Sequence, residues 1–473
     1  MHGCETFKLE IRMIQLLNSK FMAKGLALAV TAVMVSTAHA GKAEQQQIQE
    51  LRKEIDALRS LVQQQHQVQQ QQQNQIEQVK AQPVQFVAAP TPKSESSLTG
   101  FKTKNGATVN LYGSIRGDAN YIIEGADEDF NSVSKVGASD TKLVNDKLRA
   151  TAKTTRLGLD FSSPVEGGKV GGKIEVDFAS SDNSKSENLR IRHAYLTYND
   201  WLFGQTTSNF LSNHAPEMID FGTNVGGGTA RVPQVRYGFK LTPTTKLFVS
   251  AEEGNSSATA LKKTTTQIRN DSGAVIDTKV TSENVSSGVK YSLPVLTAKL
   301  TQGFADGKGS VSGRALVEQY KSETSDDDKL GWGVAAGVNY QVSDPLKVSA
   351  DVSHVVGNSN YLYGSNSAFY LNPVNGDIEQ NEFNAVQVGA TYKFSPKVRS
   401  TLAYGAQFAD DGTDYAKLNA SANEKVQQAW INLIYTPVAP IDLGVEYING
   451  KRDTFAGESY KDNRVGLMAK YSF

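Results

Sequence analysis

The sequence predicts an all-β transmembrane barrel of about 16 antiparallel strands, preceded by an α-helical coiled coil. Three observations predict it. An export signal stands near the N-terminus. A two-residue apolar rhythm recurs from about residue 101 to the C-terminus. The stretches that carry the rhythm are joined alternately by tight turns and by long polar loops.

The stretch MAKGLALAVTAVMVSTAHA, Met22 to Ala40, has a lysine, a short apolar run and an Ala-His-Ala site. That is a secretory signal cleaved after Ala40. The apolar run from Gly25 to Val35 is shorter than the ~20 residues a membrane-spanning helix needs. Met22 fits the start of such a signal better than Met1. Removing 1–40 takes four basic residues (Lys8, Arg12, Lys20, Lys24) and two acidic ones (Glu5, Glu10) from 49 of each, leaving 45 and 47. A near-neutral chain is no nucleic-acid binder by charge. Cys4, the one cysteine, leaves too, so the exported chain has neither disulfides nor thiolate chemistry.

Residues 41–82 carry a helical seam. Ile48, Leu51, Ile55, Leu58 and Val62 are spaced 3, 4, 3, 4, the mark of a coiled coil. A glutamine block follows, and Ile/Leu seams of this kind lean toward dimers. Pro83, Pro90 and Pro92 then break any helix, so 83–100 reads as an extended linker.

From 101 to 473 the rhythm has period two. Val109, Leu111, Ile115, Ala119 and Tyr121 lie on one face; Asn110, Ser114, Arg116, Asp118 and Asn120 lie on the other. The same alternation runs through Leu157–Phe161, Val170–Phe178, Val235–Leu241, Leu330–Tyr340, Val386–Phe394 and Ile441–Tyr447. Tight turns are expected at SSPVEGG, Asn199-Asp200, TPTT, LPV, SDP, SPK and PVAP. Long loops are expected near 124–153, 180–188, 207–230, 253–283, 305–328, 355–383, 409–424 and 449–460. Sorting connections by length onto two rims marks a membrane barrel. A barrel this wide encloses water, so the polar face lines the lumen and the apolar face meets lipid. Tyr121, Phe178, Tyr198, Trp201, Tyr291, Tyr340, Phe394 and Tyr435 are then expected in the interfacial girdles.

The chain ends NRVGLMAKYSF, alternating to a terminal Phe473. This resembles the assembly signal of Gram-negative outer-membrane proteins, which implies the barrel-assembly machinery as a partner. A signal, a Gln-rich coiled coil, a Pro-rich linker and a barrel opening NLYGSIRGDANY, with WLFGQTTSNF before the third long loop, resemble the DcaP-like outer-membrane porins. The resemblance implies a homotrimeric barrel in the outer membrane, contacting lipid and lipopolysaccharide, with its coiled coil in the periplasm. It also implies a passage for small anionic, dicarboxylate-type solutes. A tether to the cell wall through the coiled coil is the competing reading, as is a non-selective porin.

By parity Arg116, Arg156, Arg190, Arg192 and Arg236 face the lumen, and Arg231 follows the third loop. Arginine forks bind carboxylates in bidentate fashion. These six form the expected solute path, unless the arginines pair instead with Glu175 and Asp177. The third loop, NFLSNHAPEMIDFGTNVGGG, carries Phe210, Met218, Ile219 and Phe221, too apolar for a solvated tip. The resemblance implies that it folds into the lumen, with His214, Glu217 and Asp220 at the constriction and the two acids facing the basic wall. A subunit contact is the alternative. No histidine pair has metal-ligand spacing and no phosphate-loop motif is present. Neither enzyme nor cofactor is expected.

Overall fold

A computed structural model describes residues 100–103, 106–179, 188–254, 256–259, 261–269, 272–284, 289–323 and 325–473. The signal, the seam Ile48, Leu51, Ile55, Leu58 and Val62, and most of the linker lie outside the described residues.

The sheet is a closed, 16-stranded antiparallel barrel. In chain order the strands are β1 (Thr108–Ala126), β2 (Leu143–Thr151, resuming as Arg156–Val165), β3 (Gly168–Asp177), β4 (Arg190–Tyr198), β5 (Trp201–Thr207), β6 (Arg231–Lys240), β7 (Thr245–Glu252) and β8 (Val295–Phe304). They continue as β9 (Gly309–Ser322), β10 (Asp328–Gln341), β11 (Leu346–Val356), β12 (Glu382–Ser395), β13 (Val398–Ala409), β14 (Asn423–Tyr435), β15 (Ile441–Thr454) and β16 (Ser459–Ser472). Each pairs with the next, and β16 returns to β1 through Tyr471–Ile115 and Val465–Tyr121. Closure leaves no unpaired strand edge, which a hydrocarbon surround demands.

The side chains are arranged inside out relative to a water-soluble protein. Leu111, Ile115, Leu159, Ile174, Val235, Val334, Val388, Leu433 and Leu467 are exposed, whereas Asn120, Glu175, Gln234, Glu252, Gln387, Asn432 and Arg464 are buried. The apolar parity set faces outward on every strand where it was read. Tyr121, Tyr198, Trp201, Phe394 and Tyr435 are exposed near strand ends. Tyr291 is not in the girdle: its ring stacks edge-on against Tyr320 at 6.1 Å and its hydroxyl donates to the Ser256 carbonyl.

Two stretches of the strand pattern differ from expectation. Within the expected loop 124–153, Leu143–Thr151 is strand and pairs with β1; the other stretch surrounds β8 and β9. The tight turn is at 305–308, not at Leu293–Val295, and most of the expected loop 305–328 is β9. Ala305, Asp306 and Gly307 take φ of 50°, 53° and 84°, a left-handed run that closes the hairpin and that glycine tolerates without strain. Val311, Gly313, Ala315 and Val317 then face outward, and Ser312, Arg314 and Glu318 inward. Between β7 and β8, among the described residues, only Val289–Lys290 pairs with the sheet, at the end of β9. One expected strand is lost and one gained, so the total stands. The last connection is also shorter than expected, because β15 and β16 extend to Thr454 and Ser459.

Candidate functional site

The third loop, 208–230, folds against the inner wall from β8 round to β16. Its apolar residues are the reason. Phe210 and Leu211 join Val295, Leu316, Ala335, Val355 and Phe383 in a buried cluster. Phe210 fits there because Gly333 has no side chain; a Cβ at that point would stand 3.0 Å from the ring. Further along, Ile219 packs with Ile434 and Met468, and Met218 against Ala403, Trp430 and Ile448. The return leg passes Gly226, whose φ of 81° brings its backbone against the Val386 carbonyl.

Polar groups of the loop find partners on the same wall. Glu217 accepts from Arg399 Nε and Nη2 at 2.8–3.1 Å. Glu446 accepts from the backbone N–H groups of Ile219 at 2.9 Å and Asp220 at 2.8 Å. Asp220 in turn accepts from the N–H groups of Asn131 at 2.8 Å and Gly222 at 2.7 Å. Neither Glu217 nor Asp220 touches the arginines of β2–β6. The expected acidic face opposite a basic wall is therefore corrected: one acid is paired and the other is buried, 1 % exposed. Phe221 is partly exposed and lies 5.9 Å from Phe130. Arg116 is a strut for the loop. It forks onto Asp118 at 2.6–3.0 Å, donates to the Ile219 carbonyl and lies 4.5 Å from the Phe221 ring.

His214 sits where the loop crosses β9 and β10. Asn339 Nδ2 donates to its Nδ1 at 2.8 Å, so the ring's own proton is on Nε2, which donates to Ser312 Oγ at 3.0 Å. Burial, then Arg314, Lys299 and Lys347, pushes its pKa down to about 4. Asp220 moves the other way: burial pushes it up to about 6, against the pull of Arg464 and of the Asn131 and Gly222 N–H groups.

The wall formed by β2–β6 carries the remaining arginines. Arg190 forks onto Asp177 at 2.7–2.9 Å. Arg192 bridges Glu175 at 2.7 Å and Asp177 at 2.9 Å. Arg156 approaches Glu175 at 3.4 Å, and Tyr112 donates to the same carboxylate at 2.8 Å. Arg231 starts β6 beside this group, its Nε buried without a hydrogen-bond partner, within the field of Arg192, Arg190, Arg156 and Asp177. Pairing with Glu175 and Asp177 therefore does occur, yet among the described residues four guanidinium groups share two carboxylates. Arg236 stands apart, its hydrogen bond among the described residues being to Asn209 Oδ1 at 3.4 Å, and lies 5.6 Å from the Phe248 ring.

Two inward cations were not singled out from sequence, Lys299 on β8 and Arg314 on β9. Arg314 forms a buried ion pair with Asp351 at 2.6 Å. The Asp306-Gly307 pair flanked by alternation was the signal that could have placed β9, and with it Arg314. Among the described residues no cluster of three or more His, Cys, Asp or Glu is arranged to hold a metal ion.

A family model described as DcaP outer membrane protein matches residues 34–267 and 272–473. The crystal structure of the outer membrane channel DcaP of Acinetobacter baumannii is similar over 80 % of this chain and 100 % of that one, at 67 % identity and a TM-score of 0.70. Salmonella typhi OmpF, in complex with daunomycin, matches at 14 % identity and a TM-score of 0.47, over 78 % of this chain and 99 % of that one. Pseudomonas putida OprB matches at 12 % identity and 0.47, over 77 % and 94 %. No curated protein sequence matches.

Proposed function

The chain belongs to the DcaP outer membrane protein family, and from that premise we propose that it is a passive diffusion channel for small hydrophilic solutes, favouring anionic, dicarboxylate-type compounds. One observation carries the charge preference: on the wall that the third loop leaves uncovered, Arg156, Arg190, Arg192 and Arg231 share, among the described residues, the two carboxylates Glu175 and Asp177. Counted as formal charges this leaves a surplus of two positive ones. Inward rings of arginine draw anions, and a narrow water-filled bore focuses their field.

The double variant Arg156→Gln with Arg231→Gln removes the surplus and leaves Arg190 and Arg192 on their carboxylates. Reversal potentials in salt gradients across planar bilayers are expected to shift toward cations. An unchanged anion/cation permeability ratio refutes the assignment.

A homotrimer is part of the proposal, with the coiled coil in the periplasm. Its support is the family resemblance together with the outer surface of β14–β16, β1 and β2. There Gly117, Ala119, Ala150 and Ala469 form a shallow apolar groove with Leu433, Leu443 and Val445, of the kind that lets another wall approach closely.

A further inference from the structure

Beyond the arginine wall, a second cluster of cations lines a separate part of the lumen. A cavity of about 490 Å³ lies between the start of the third loop and the inner face of β5–β9. Its lining includes Arg236, Lys246 and Lys299 and no carboxylate. The three cations lack acidic partners within it. Lys299 is buried, yet among the described residues its ammonium group donates to neutral acceptors, the Leu211 carbonyl at 3.1 Å and Asn213 Oδ1 at 3.5 Å. Arg236 has the single long bond to Asn209 already described. Lys246 is exposed to the bore and has no ion pair among the described residues. The nearest acids lie outside the cavity. Asp351 is on Arg314; Glu252 accepts from the Asn209 N–H, Ser250 and Thr297, and its charge acts on Arg236 and Lys299 without an ion pair to either among the described residues.

We propose that this cavity is a discrete binding station for a small organic anion with two carboxylate groups. Arg236 would hold one carboxylate through its guanidinium fork. Lys246 and Lys299 would hold the other, with Ser312 and Thr301 supplying hydroxyl donors. The station lies on the tight-turn side of the loop: Lys246 and Thr301 are close in sequence to the turns at 241–244 and 305–308. An anion that has passed the arginine wall therefore meets a second, separately built site before leaving. The inference rests on the anion-favouring reading above and adds to it a place where the solute pauses.

The test uses the full-length channel in planar bilayers, with succinate as the two-headed probe and acetate as the one-headed one. Lys246→Gln alters an exposed side chain and spares the fold; Arg236→Gln is the second variant. Each is expected to shorten succinate blocking events by roughly threefold or more, the effect of losing one partly exposed charge contact, and to leave acetate much less affected. Unchanged succinate residence in both variants overturns the station. An equal loss for acetate overturns its two-headed character. If the native channel shows no anion preference in a salt gradient, the underlying reading fails instead.

Discussion

Acid should act on the third loop through two residues of opposite sign. His214 is buried and neutral, facing Arg314, Lys299 and Lys347, with Asp351 already bound to Arg314. Its pKa is near 4 in the seated loop and would return to about 6.5 in a released one. The seated loop therefore binds fewer protons between pH 6.5 and 4, and loses stability as pH falls through that window. At 1.36 kcal/mol per unit the full loss is about 3 kcal/mol. Asp220 faces Arg464, Asp462 and Glu446, and its pKa is near 6 when seated and near 3.9 when free. Here the seated loop binds more protons between pH 6 and 4. It gains about 3 kcal/mol on acidification. In the native protein the two largely cancel. Asp220→Asn removes the gain, so its mean conductance and current noise should rise between pH 7 and 4 as the loop lifts. His214→Gln removes the loss, so its loop should sit tighter over the same range. The assay is single-channel recording of the three proteins across that range. Glu446 and the other pore acids are common to all three; Glu446 feels the Asp220 charge, so its titration drops out between the native and His214→Gln channels but not for Asp220→Asn. Identical pH profiles for native and Asp220→Asn channels would refute the reasoning.

Other perturbations probe the same frame. Phe210→Ala empties the centre of the cluster that seats the loop, a loss of about 3–5 kcal/mol for a buried ring; conductance should increase, and a native value counts against the seating. Arg399→Gln frees the Glu217 carboxylate from its fork, which should move reversal potentials toward cations; no movement would mean that Glu217 does not face the bore. Deleting Phe473 removes its two backbone hydrogen bonds with Gly113, at 2.9 and 3.1 Å, and its stacking on Tyr471. Less barrel should then reach the outer membrane, measured by heat-modifiable gel mobility in membrane fractions; an unchanged yield removes the proposed role of the terminal ring in assembly.

The parity of the strands was legible because lipid on one side and water on the other force a choice at every residue. The sequence near Val235 or Val388 states that choice in strong side chains, and the outward face follows directly. In β9 the outward positions include Gly313 and Ala315, which meet lipid without raising the local hydropathy. Glycine, serine and charge there imitate a loop. Tyr291 follows the same local logic: an aromatic beside a turn-like Leu-Pro reads as a girdle ring, whereas its partner Tyr320 comes from β9, whose pattern imitates a loop. The loop's contacts were beyond any local pattern. Glu217 meets Arg399 across 182 residues and Asp220 meets Glu446 across 226. The apolar content of the loop announced that it must be covered, but not by which strands.

The same separation explains how a chain with equal numbers of basic and acidic residues can have the positively charged bore proposed above. On the half of the wall behind the third loop, the inward acids have local partners: Asp351 with Arg314, Glu217 with Arg399, Asp462 with Arg464, and Glu446 with amide donors of the loop itself. Closely paired charges cancel within a few ångströms, and mobile ions screen what remains over about 8–10 Å. On the uncovered wall the ratio among the described residues is four guanidinium groups to two carboxylates, and farther along, three cations line a cavity whose described lining holds no acid. On that proposal the sign of the field is decided by which acids the loop-covered wall neutralises, not by the totals. The substitutions expected to change selectivity are those that alter a pairing, such as Arg399→Gln, as well as those that delete a charge from the bore.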